Sequence, residues 1–191
     1  MKKVFLFALI TISAFAMAQK AKIISGSFSP IKDVPAFEVK FDYTDLKVDK
    51  FKTEEEFLAD KMKKRDEKGE EFKKNWFADR EEDYEPKFIE SFNKRGSVKV
   101  EKNSDAQYVI TVKTTWIYPG YNVGVMRSDA KINAVVSVYQ KSNPSNILVS
   151  AEYKDVVGRG AMGYDYDSGY RISESYARLA KALAEDIKKG K

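Results

Sequence analysis

Four groups of residues have the types and spacing that chemistry asks for. Gly158-Arg159-Gly160-Ala161-Met162-Gly163 fits the pattern in which a glycine-rich turn lets the backbone approach a pyrophosphate. Glu81, Glu82, Asp83 and Glu85 supply the paired carboxyl groups on which glycoside hydrolysis depends. Asp165-Tyr166-Asp167-Ser168-Gly169 has the alternating oxygen donors of the first half of a calcium loop. The segment from Tyr118 through Pro119, Gly120, Tyr121, Asn122, Val123, Gly124 and Val125 to Met126 is richer in aromatic and apolar groups than a solvated turn requires. Together with Met162, Tyr164 and Tyr166 it offers large, rigid anchors for recognition.

The rest of the sequence narrows this set. Histidine and cysteine are both absent, which removes Ser-His-Asp and Cys-His catalysis, thiolate and histidine metal sites, and disulfides. In a dinucleotide fold the glycines lead straight into a helix, and a second strand with a ribose-binding acid follows. No such strand follows Gly163, so the glycines read as a flexible connection and no cofactor is expected. The twelfth position counted from Asp165 is Tyr176, where a calcium loop places a bidentate glutamate, so capping of a helix by Asp167 or Ser168 is the simpler reading. The carboxylates of residues 81–85 sit in a charged helical stretch and read first as a solvated face. A small carboxylate-dependent hydrolase stays as the alternative function. The aromatic connection has two readings: recognition of a partner, or closure of one end of the core.

The elements that must position these groups follow from periodicity. Phe37, Val39, Phe41 and Tyr43 alternate with polar residues as a half-buried strand does. Lys20 to Val34 reads as a loop or an edge strand leading into it. Thr53 and Glu56 form a capping-box pattern and open a helical region interrupted at Gly69 and restarted near Pro86. Phe72, Trp76 and Phe77 are expected on one face of its middle piece, and Phe88, Ile89 and Phe92 on one face of its last piece, which ends at Gly96. Three long alternating strands follow: Tyr108 to Trp116, Ala130 to Val138 and Ile147 to Tyr153, the last two separated by a turn at Asn143-Pro144-Ser145-Asn146. They form an antiparallel meander. With Tyr118 ending one strand and residue 157 ending another, two strands on, the two aromatic connections belong at the same end of the sheet. Ile172, Tyr176, Leu179, Ala180, Leu183 and Ile187 recur at helical spacing and predict an amphipathic helix over about 169–188 that covers the apolar sheet face. The predicted fold is α+β: a two-layer sandwich of a mainly antiparallel sheet with helices on one face, in the order strand, helices, three strands, helix.

Met1-Lys2-Lys3, the apolar run Val4 to Ala16, and Ala16-Met17-Ala18 have the three regions of a secretory signal, so residues 1–18 are expected to be removed and 19–191 to form one exported domain. The apolar run is shorter than the roughly 20 residues that span a bilayer, so no transmembrane anchor is expected. Loss of Lys2 and Lys3 takes the formal charge from +5 to about +3, and residues 47–95 carry 14 Lys/Arg against 15 Asp/Glu. With no basic stripe, nucleic acid is not an expected partner.

The element order, the segment Asp105-Ala106-Gln107-Tyr108-Val109-Ile110 after the helices, and the closing helix from Tyr176 to Ala184 resemble small secreted bacterial envelope α/β proteins. That group includes auxiliary lipoproteins similar to the periplasmic domain of the curli-secretion channel. The resemblance implies a non-catalytic accessory role at the envelope, periplasmic or surface-associated, and an envelope protein as partner. Because the chain lacks a lipobox cysteine, the lipid attachment of the lipoprotein members does not carry over.

Overall fold

A computed structural model describes residues 21–95, 98–159 and 168–190. The chain runs through β1 (Lys22–Gly26), a 3-10 turn, β2 (Ala36–Asp42), β3 (Lys47–Val48), α1 (Glu54–Lys63), α2 (Gly69–Asp79), a π-helical turn at Arg80–Tyr84, and α3 (Glu85–Asn93). It continues through β4 (Lys99–Glu101), β5 (Tyr108–Tyr118), β6 (Tyr121–Asn122), β7 (Arg127–Ser128), β8 (Lys131–Gln140), β9 (Asn143–Val157) and α4 (Ser168–Lys189). The fold is α+β. The main sheet has the order β1-β9-β8-β5-β2-β4, with β3 pairing the far end of β5, and β6 and β7 form a separate small hairpin.

The predicted meander is present: β5, β8 and β9 pair antiparallel in sequence order, and β1 adds antiparallel to β9 as an edge strand. On the other side β2 runs parallel to β5 and β4 parallel to β2. A parallel neighbour requires a long crossover, and α1, α2 and α3 supply it between β2 and β4. Thr53 caps α1 by accepting the Glu56 N–H at 3.2 Å, and the Glu56 carboxylate accepts the Lys52 N–H in return. Pro86 lies at the start of α3 directly after the π-helical turn, so the helical run continues from Gly69 to Asn93 and the expected restart near Pro86 is a π-helical insertion in place of a new helix end.

Helices pack on one face of the sheet, and their buried residues join those of the strands in one cluster. In β8 the pattern is strict: Ile132, Ala134, Val136 and Val138 are buried and their neighbours half-exposed. Helix α4 answers with Ile172, Tyr176, Leu179, Ala180, Leu183 and Ile187, all fully buried. Three further expectations are corrected. The reversal between β8 and β9 occurs at Lys141-Ser142, since Gln140 pairs with Asn143, and Asn143-Pro144-Ser145-Asn146 already belongs to β9; Pro144 is accommodated near the strand's first residue. Phe77 departs from the face of Phe72 and Trp76 and is solvent-exposed beneath Arg80, because it lies one residue (about 100°) beyond Trp76 on the helix. A register shift between Thr114 and Trp116 breaks the alternation of β5, so Ile117 takes the buried side in place of Trp116.

Candidate functional site

That bulge sets the geometry of the aromatic end. Beyond it Trp116 and Tyr118 stand half-exposed with their rings 6.2 Å apart and within 10° of parallel, and the Trp116 indole N–H donates to the Asp49 carbonyl at 2.9 Å. The chain then turns at Gly120, where φ is +67° and a Cβ would fall 2.3 Å from the Ser128 carbonyl oxygen. Only glycine fits there. Tyr121 pairs with Ser128 and Asn122 with Arg127, and the tip from Val123 to Met126 projects beyond them. Tyr121 is exposed, Val123 and Met126 more so, and Val125 is 101% exposed.

The base of this connection is held firmly. Arg171 of α4 donates to the Pro119 carbonyl at 3.3 Å. The Ala130 carbonyl accepts from both the Gly158 N–H at 2.9 Å and the Ser175 hydroxyl at 3.1 Å. Of the predicted recognition residues, the structure therefore places Tyr118 and Tyr121 on one connection rooted on α4. Met162, Tyr164 and Tyr166 lie outside the described residues, as do Gly160, Gly163, Asp165 and Asp167. Tyr118 pairs with Lys131 and Lys131 with Val157, so β9 leaves the sheet at the end that carries Tyr118. Gly158 has a packing reason: a Cβ there would lie 2.7 Å from the Ser175 nitrogen and 2.8 Å from the Arg171 carbonyl oxygen, where the end of β9 runs against α4.

Next to this connection a cleft of about 730 Å³ opens between α1, α2, the π-helical turn, Gly120 and the start of α4. Phe57, Phe72 and Trp76 form its aromatic base, packed with ring centroids 4.8 to 6.2 Å apart. Arg65 lies 4.1 Å over Phe72 and Lys61 5.4 Å over Phe57. Asp79, Glu82, Asp83 and Arg171 line the other part. Gly169 is buried against Asp79 and Asp83; a Cβ on it would meet their carboxyl atoms at 2.7 and 2.8 Å. The aromatic spacing of α2 signalled this base, whereas nothing local signalled Arg171, which reaches its partner across the fold.

Beside the cleft, buried carboxylates and phenols pair with one another and with cations at the edge of the core. Glu54 accepts from the Trp76 indole at 2.6 Å and pairs with Arg80. Glu85 pairs with Lys102 and accepts from the Tyr43 hydroxyl at 3.4 Å. Tyr176 hydrogen-bonds Thr114 at 2.6 Å and stacks on Tyr84 at 5.2 Å. Burial raises the pKa of Tyr43, Tyr84 and Tyr176 far above ordinary phenol values, so these hydroxyls stay neutral. Among the described residues no group of His, Cys, Asp and Glu is placed to hold a metal ion, and no helix is long and apolar enough to cross a membrane.

No protein-family model and no curated protein matches the chain. Two solved structures resemble it distantly. A PelC dodecamer from Paraburkholderia phytofirmans has a TM-score of 0.40 at 11% identity, covering 86% of this chain and 97% of that one. A neuraminyllactose-binding hemagglutinin homologue from Helicobacter pylori has a TM-score of 0.29 at 15% identity, covering 85% of this chain and 87% of that one. At these scores neither likeness bears on what the chain binds.

Proposed function

We propose that the chain is an exported, non-catalytic accessory protein of the bacterial cell envelope that recognises a protein partner through the sheet end carrying Tyr118 and Tyr121. The observation that carries this reading is the projection of the 119–130 connection from a base fixed by Arg171, Gly158 and Ser175. Recognition favours rigid aromatic groups, because little conformational freedom is lost when they are buried. The half-exposed Trp116–Tyr118 pair and the neighbouring cleft extend the same surface.

The alternative, a carboxylate-dependent hydrolase, finds less support. Its general acid would need a raised pKa. Glu85, one of the candidates, is buried and committed to Lys102. Glu38, Asp60, Glu90 and Glu185 are held below the usual carboxylate range by hydrogen bonds from lysines.

Changing Tyr121 and Tyr164 together to Ser tests the recognition reading. Crosslinking in intact cells, with mass spectrometry of the captured proteins, should show the partner lost while the melting temperature stays within a degree or two of the parent. A loss of several degrees would assign these tyrosines to closure of the core. Unchanged melting with unchanged capture would remove them from both roles.

A further inference from the structure

We infer that the tip of the β6–β7 hairpin is a lipid-contacting wedge that seats this end of the protein in the interface of a bilayer. The proposal goes beyond partner recognition: it shares Tyr121 with that reading but is carried by the aliphatic and thioether tip from Val123 to Met126. From Val123 to Met126 no side chain is polar, and three of the four are aliphatic or thioether groups that the fold leaves in solvent. Protein interfaces take most of their binding energy from Trp, Tyr and Arg, and valine is under-represented among such anchors. A lipid interface has no such requirement and rewards apolar area alone.

The backbone of the tip is partly prepared for the same environment, with its first two N–H groups bonded within the hairpin and the rest left at headgroup depth, where water reaches. Hydrocarbon offers no partner for an open N–H, so a segment entering it must satisfy its polar groups internally. The Val123 N–H donates to the Met126 carbonyl at 2.9 Å, and the Gly124 N–H donates to the Asn122 side-chain oxygen at 3.0 Å. Gly124 has φ of +81° with open space around it, which lets the tip turn tightly. Directly below the tip Arg127, exposed, pairs with Asn122, with a side chain long enough to keep its charge in water; one rung further down Tyr121, an amphipathic ring of the kind favoured at headgroup level, pairs with Ser128, and the exposed Asp129 follows. Two strand residues raise the tip by roughly 7 Å, similar to the depth that interfacial segments reach. Because Arg127 is balanced by Asp129, the attraction is apolar and not electrostatic.

The test uses the purified mature chain with phosphatidylcholine vesicles in a flotation assay, where no protein partner is present. The parent should float with the vesicles, and the fraction bound should survive about 0.5 M NaCl, which screens surface charge. The double variant Val125→Asp, Met126→Asp should lower partitioning by at least about tenfold. Ile147→Asp, the same chemistry near the other end of β9, should leave it unchanged. Separately, Val125→Trp should give tryptophan emission that shifts to shorter wavelength when vesicles are added. A parent that stays with the aqueous fraction overturns the inference, as does a double variant that floats like the parent, an unshifted emission, or binding that requires anionic lipid and vanishes in salt. If the parent ignores vesicles while a crosslinker at position 125 captures a protein in cells, the tip is a protein contact and the lipid assignment fails.

Discussion

The Arg80 guanidinium pairs with Glu54, lies 4.4 Å over the Tyr43 ring and 4.9 Å from Phe77, and so joins three elements at a single group. Its neighbour Tyr84 is less well served: the hydroxyl is buried and has no hydrogen-bond partner among the described residues. Tyr84→Phe should therefore raise stability, by about 1 kcal/mol, because an unsatisfied buried hydroxyl is removed while the stack on Tyr176 is kept. A lowered melting temperature would show that the hydroxyl is bonded in solution. Glu38 offers a test through pH. A hydrogen bond from Lys141, with the charges of Lys40 and Lys141 adding to it, outweighs the opposing effect of burial and lowers the Glu38 pKa. A depressed folded-state value stabilises the protein above the unfolded value of about 4.3, and that stability is lost as pH falls through the folded value. Glu38→Gln should flatten this part of the acid limb in pH-dependent melting and leave the rest of the curve in place. None of these pairings was legible in the sequence, because Glu54, Tyr43 and Lys141 meet their partners only after the fold brings them together.

Elements were far more legible than pairings. The alternation in β2, β8 and β9 and the spacing in α4 follow from burying one face, and periodicity records that directly. Leu183→Asp tests the stripe of α4: an unpaired carboxylate at this fully buried position should cost about 2–5 kcal/mol, and an unchanged thermal midpoint would mean that α4 packs through another face. Where the period broke, reading failed. The bulge after Thr114 exchanges Trp116 for Ile117 on the buried side, and a bulge leaves no compositional mark. Pro144 and its polar neighbours have turn chemistry but lie at the first residues of a strand, where a missing N–H is tolerated. The parallel pairing of β2 with β5 and β4 was invisible for another reason: partners are chosen by what the helical crossover permits, and no residue type announces that choice.

For the whole molecule the sequence conveyed the layers, and the structure supplied the order of the sheet and the cleft beside the aromatic connection. Half of the proposed recognition surface was legible as an excess of aromatic groups in a turn. Arg171 and the cleft were not, since both depend on α4 reaching back to Pro119. Export is the expectation to check at this scale. Amino-terminal sequencing of protein recovered from outside the cytoplasm should begin at or near Gln19, and material that keeps Met1 to Ala18 would overturn it. The antiparallel pairing of β1 with β9 bears on how such a protein is completed. Lys22 finds its place only opposite Glu152, so the edge of the sheet is sealed by a segment made near the beginning of synthesis and one made near its close. Contacts that span so much of the chain form slowly. A polypeptide with this wiring cannot finish its sheet while its second half is still emerging, because the last strand to be made is the one that closes the first.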